Sequence, residues 1–132
     1  MDKTTKLTIA IVVLAGFMFW GFQSGTFAKI FSGPVQPIEI PEGIILFYGE
    51  ECPHCKIVDE FVAENNVKEK VNFSNLEVWR SKDNQAILGQ VVKECKINSS
   101  EVGVPFLYDG SGNCYVGDVD VINFFKNASG IQ

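Results

Sequence analysis

The amino-acid sequence predicts an α/β protein: a three-layer β-α-β-α-β-β-α fold with a four-stranded mixed sheet, preceded by one N-terminal transmembrane helix. Three observations predict it. Short apolar runs alternate with stretches whose apolar residues recur at helical spacing, as when strands are joined by crossover helices. The last two runs are separated by Asp109-Gly110-Ser111-Gly112, a turn of hairpin type. Residues 7–22 are apolar all round and show no helical stripe, so they do not read as a core helix packed on one face.

Composition narrows the class. A chain of 132 residues holds one domain with a modest core. A hydrophobic content of 46% with a net charge of −5 favours folding over disorder. The acidic balance argues against a nucleic-acid partner, which would want a basic face. The four cysteines are too few for a disulfide scaffold of this length.

Lys3 and Lys6 precede Leu7–Phe22, and no further charge follows until Lys29. The strongly apolar part is slightly shorter than the ~20 residues a bilayer core requires, and the uncharged tail through Ala28 brings it within range. Phe19, Trp20 and Phe22 cluster where an interfacial aromatic belt would sit. Residues 1–28 therefore read as an uncleaved signal anchor or as a signal peptide cleaved after Thr26-Phe27-Ala28, and the bulky aromatics favour the anchor. Either way the basic N-terminus stays in the cytoplasm. The rest becomes extracytoplasmic, held by a single pass of the cell membrane or secreted after cleavage. Residues 29–43 carry Pro34, Pro37 and Pro41 with Gly33 and Gly43, a stiff linker with the domain boundary near Pro37.

The domain proper, 44–132, opens with Ile44–Tyr48, a continuous apolar run expected of a central strand covered on both faces. A helix follows to about Asn65, with Ile57, Val58, Phe61 and Val62 facing the sheet. Val71–Val78 is the second strand, its register blurred where the alternation slips at Asn75. Ser81 or Asp83 caps a second helix whose stripe is Ala86, Ile87, Leu88, Val91, Val92 and Cys95, ending at Asn98-Ser99-Ser100. Val102–Tyr108 is a third strand, entered through Pro105, and Cys114–Val116 a fourth. Asp118 caps a final helix with Val119, Val121, Ile122, Phe124 and Phe125. The first two strands should be parallel and the last two antiparallel.

The chemistry concentrates in Cys52-Pro53-His54-Cys55, at the junction of the first strand and its helix. A zinc site would need a second ligand pair at suitable spacing. Cys95 and Cys114 lie far downstream, and the only histidine, His54, is inside the motif. A cysteine at a helix N-terminus meets unpaired N–H groups and the positive end of the helix dipole, which favour its thiolate, the attacking species. Pro53 suits the first helical position, having no N–H to leave unsatisfied. His54 adds a donor and, when protonated, a positive charge. Glu50 and Glu51 oppose this, weakened by solvent screening. Cys95 and Cys114 are either buried thiols or a structural bridge between the second helix and the fourth strand.

This element order, with Cys52-Pro53-His54-Cys55 at a strand-to-helix turn and Gly103-Val104-Pro105 opening a later strand, resembles the thioredoxin superfamily over about Ile44–Asn127. The Cys-Pro-His-Cys and Gly-Val-Pro segments are similar to those of DsbA-type disulfide oxidases. The compact size is closer to glutaredoxins and to small thioredoxin-like domains that partner quinone-linked membrane oxidoreductases. The resemblance implies a thiol–disulfide oxidoreductase acting on protein thiols and disulfides without metal or organic cofactor. It implies Cys52 as exposed nucleophile, Cys55 as resolving cysteine, a cis Pro105 beside them, and Val104 offering its backbone to an extended substrate. It also implies a partner that resets the pair, expected to be a membrane oxidoreductase. Many relatives carry a buried acid six positions before the first cysteine; Leu46 stands there in this chain, leaving Glu50, Glu51 or water to replace it. Two other functions compete: a glutaredoxin-like enzyme using glutathione, which Glu50–Glu51 and the export signal disfavour, and a non-catalytic module holding peptides in a Val104–Pro105 groove.

Overall fold

A computed structural model describes residues 2–23 and 38–131. The Thr26-Phe27-Ala28 site and residues 29–37 of the expected linker lie outside the described residues. The chain divides into two units, Met1–Pro37 and Ile38–Gln132.

The first unit contains helix α1, Lys3–Gln23. At ~1.5 Å per residue it is about 30 Å long, the thickness of a bilayer's hydrocarbon core. By length and composition Lys3–Trp20 could cross a membrane, a property that signal sequences near an N-terminus share.

The second unit is built on strands β1 (Ile44–Tyr48), β2 (Phe73–Glu77), β3 (Phe106–Tyr108) and β4 (Cys114–Val116). They form one sheet in the order β2-β1-β3-β4. β1 pairs parallel with β2 and antiparallel with β3, and β3 pairs antiparallel with β4. The helices are α2 (Pro53–Glu64), α3 (Val67–Lys70), α4 (Lys82–Glu94) and α5 (Asp118–Ser129). This is the mixed, three-layer α/β arrangement that the sequence predicts.

The two-residue period of the strands sorts side chains to opposite faces. Leu46 and Leu107 join Val58 and Val62 of α2, Val67 of α3, and Val121 and Phe125 of α5. Ile45, Phe47, Phe106 and Tyr108 join Val91 and Val92 of α4 on the other side. β1 is thus central and wrapped on both faces, which is why it reads as an unbroken apolar run. Asn75 breaks the alternation because it stands opposite Leu46 in the register, where the edge strand faces a surface groove instead of the core.

Several boundaries differ from the sequence reading. The third strand begins at Phe106 and not at Val102, because Pro105 has no N–H to give a ladder. The one-turn α3 and a short 3₁₀ segment, Ser99–Glu101, are additional. Ser81 is the residue that caps α4, accepting from the Asn84 N–H at 3.3 Å. The N-cap of α5 is Gly117, with no side-chain cap, so Asp118 is instead the first helical residue. The β3–β4 turn is held by Asp109, whose carboxylate accepts from the Ser111 and Asn113 N–H groups at 2.7 and 3.0 Å. Gly110 there has φ +80, and a Cβ would press on the backbone of Gly43.

Candidate functional site

The topology brings the end of β1, the start of α2 and the segment entering β3 together. Cys52 is the N-cap of α2, and its Sγ accepts the Cys55 N–H at 3.2 Å. Pro53 occupies the first helical turn. An N-cap side chain normally accepts with oxygen. Here sulfur fills that position, and it accepts better as a thiolate. On its other side the Cys52 thiol donates to the Val104 carbonyl at 3.5 Å. The Val104–Pro105 peptide bond is cis. Val104 and Pro105 are thus neighbours of the Cys52–Cys55 pair, although Val104 follows Cys52 by 52 residues. Cys52 is only 4% exposed, so the sequence reading of an exposed nucleophile is corrected: the Val104 carbonyl lies over the sulfur.

Cys55 is 3% exposed. Burial first, and then the neighbouring Cys52 sulfur, push its thiol up to about 12, with Asp59's charge adding to the rise. His54 projects outward, its Nδ1 3.4 Å from Asp118 Oδ1 at the start of α5. That pairing was hidden in the sequence, since the two residues lie on different elements.

Glu50 and Glu51 do not turn toward the cysteines. Arg80 binds both, Nη1 to Glu50 Oε2 and Nη2 to Glu51 Oε1 at 3.1 Å. The loop carrying Arg80 is braced from below by Glu77, whose carboxylate accepts from the N–H groups of Trp79 at 2.7 Å and Arg80 at 2.9 Å. Burial opposes that charge, but these bonds prevail and hold Glu77 below the usual carboxylate range. Trp79 is 51% exposed and lies against Gly49, where a Cβ would collide with the indole ring. Gly49 also closes the turn into the motif, its carbonyl accepting the Cys52 N–H at 3.1 Å. Neither Trp79 nor Arg80 lies near the motif in the chain, and nothing in the sequence ties them to it.

Cys95 and Cys114 form a disulfide, with Cα atoms 6.0 Å apart, joining the C-cap of α4 to β4. Both pack against the α4-side core. Among the described residues, no group of three or more His, Cys, Asp or Glu side chains is placed to hold a metal ion.

No protein-family model matches this chain, and no curated protein matches it. Among solved structures, the chain is similar to a buckwheat glutaredoxin in complex with glutathione, with a TM-score of 0.44 and 18% identity. That match covers 67% of this chain and 71% of the glutaredoxin.

Proposed function

We propose that this chain is a membrane-anchored, extracytoplasmic thiol–disulfide oxidoreductase that exchanges disulfides with protein substrates through Cys52 and Cys55. One observation carries the reading: a sulfur capping a helix N-terminus, with a second thiol in the same helical turn and a backbone carbonyl across from it. The Cys55 N–H and the helix dipole favour negative charge on Cys52. The thiol's contact with Val104 is lost once Cys52 ionises, which frees that backbone to meet an extended peptide. Cys52 thiolate attacks a substrate disulfide, Cys55 resolves the mixed disulfide, and the pair leaves oxidised; run in reverse, the same steps oxidise substrate thiols. Helix α1 tethers the domain, and a membrane redox partner resets the pair. Neither metal nor organic cofactor enters the reaction.

Equilibrating the full chain in detergent against redox buffers, with mass spectrometry of alkylated cysteines, tests the reading. Cys52 and Cys55 should titrate together as a two-electron couple. A midpoint near about −120 mV identifies an oxidase, about −180 mV an isomerase and about −270 mV a reductase. A pair that never equilibrates would rule out exchange and leave the peptide-holding module.

A further inference from the structure

Resolution of a mixed disulfide needs Cys55 as a thiolate, and Cys55 resists ionisation. Burial and the Cys52 sulfur push it up to about 12 in the reduced pair, so little of it is thiolate at neutral pH. Once Cys52 is tied up in a mixed disulfide its own effect on Cys55 changes, but burial, the largest cause, remains. A base within reach is therefore required. Leu46 offers none, Glu50 and Glu51 are turned to Arg80, and the His54 Nδ1 faces Asp118.

Asp59 is differently placed. It follows Cys55 by four residues on α2, the spacing that puts two side chains on one side of a helix with Cβ atoms ~5–6 Å apart. It is exposed, and it lines a groove of about 500 Å³ together with Tyr48 of β1, Asn75 of β2, and Lys68 and Glu69 of α3. The groove gives the Asp59 carboxylate access to open water, where a proton can leave.

We propose that Asp59 takes the proton of Cys55 as Cys55 attacks the mixed disulfide on Cys52. This rests on the exchange reaction proposed above. The Cys55 S–H bond breaks and its proton passes to the Asp59 carboxylate. The Cys55 electron pair forms the Cys52–Cys55 bond, and the bond between Cys52 and the substrate sulfur breaks. The substrate sulfur leaves as a thiolate and takes a proton from solvent; the cysteine pair is oxidised and the substrate disulfide reduced by two electrons. Although its side chain reaches solvent, Asp59 loses part of its hydration against the protein, which raises its pKa, while Lys68 pulls the other way.

The aromatic disulfide dithiobisnitrobenzoate reads both steps on the reduced full chain in detergent. Cys52 releases a first thionitrobenzoate, and Cys55 releases the second from the resulting mixed disulfide. In the unaltered chain the second phase should become independent of pH once Asp59 is ionised. In Asp59→Asn it should be about 100-fold slower at pH 7 and should climb about tenfold per pH unit, following the Cys55 thiolate. Removing a negative charge also makes Cys55 easier to ionise, so an Asp59 that acted only through its field would give a faster second phase in Asp59→Asn. A second phase as fast as, or faster than, that of the unaltered chain overturns the proposal. Lys68→Gln provides an independent arm should Asp59→Asn fail to fold. With Lys68 no longer holding the Asp59 pKa down, the lower edge of the plateau should move to higher pH, and an unmoved edge overturns the proposal. Absence of the first phase in the unaltered chain overturns the exchange reaction and this inference together; a normal first phase with an unaffected second phase overturns this inference alone.

Discussion

Cys52 and Cys55 are thiols three positions apart at the start of α2, whereas Cys95 and Cys114 are joined across a separation of 19 residues. The stabilisation a cross-link gives through the unfolded chain grows with the loop it closes. A bond within one helical turn therefore constrains little, and it can open and close without moving the fold. A bond between α4 and β4 fastens a helix to an edge strand, so breaking it loosens that side of the sheet. Surroundings add to the contrast. The Cys52 sulfur has a donor on one side and a carbonyl on the other, whereas Cys95 and Cys114 pack against apolar side chains.

The sharpest way to break this contrast is to remove one sulfur from the first pair. Cys52→Ser should abolish disulfide exchange while preserving the fold, because serine is itself a preferred N-cap and its oxygen can accept the Cys55 N–H. Cys55→Ser should instead accumulate a mixed disulfide on Cys52. Exchange rates and intact mass report both, and residual turnover in Cys52→Ser would refute the assigned nucleophile. The double variant Cys95→Ala/Cys114→Ala should behave oppositely. It should lose about 3 kcal/mol of stability in denaturant unfolding, and the molecules that remain folded should still exchange. Loss of exchange in fully folded molecules would mean that the second pair relays electrons.

The same contrast explains how much of the fold and site is legible in the sequence. Element types and their order were legible because β1, α2, α4 and α5 carry strong periodic signals, and Cys52-Pro53-His54-Cys55 is contiguous. The contacts to the site from outside the motif were not. Arg80 and Trp79 reach it from the loop after β2, and Asp118 from the start of α5, brought there only by the β2-β1-β3-β4 strand order. The Cys95–Cys114 bond depended in the same way on where α4 ends relative to β4. Asp59 was accessible in principle, since its four-residue spacing from Cys55 is visible in the chain, but nothing marked it until the groove gave it neighbours.

Gly49 offers a smaller perturbation, confined to the first pair. Gly49→Ala would place a Cβ inside the Trp79 ring, so the half-exposed indole must shift or the turn before Cys52 must open. Overpacking of this kind costs about 1–3 kcal/mol, and the low end applies because Trp79 can move toward solvent. Tryptophan fluorescence should change and exchange should slow, while Cys95–Cys114 remains intact. Unchanged fluorescence together with unchanged exchange would show that Trp79 does not lean on the motif.

Arg80 should give the smallest effect on the fold. Its side chain is 63% exposed, and those of Glu50 and Glu51 are 59% and 75% exposed. Pairs this open contribute about 0–1 kcal/mol each, so Arg80→Gln should shift stability by less than about 1 kcal/mol. Its consequence for the site is electrostatic. Two carboxylates near Cys52 lose the cation that offsets them, and negative charge on the attacking sulfur becomes less favourable. Exchange in Arg80→Gln should therefore slow a few-fold at low ionic strength. The difference should fade as salt shortens the Debye length to roughly 3 Å at 1 M. The Cys95–Cys114 side should register no change under either condition. A deficit that persists at high salt would mean that Arg80 acts by holding the loop in place, and that the charge around Cys52 matters less than the scaffold beneath it.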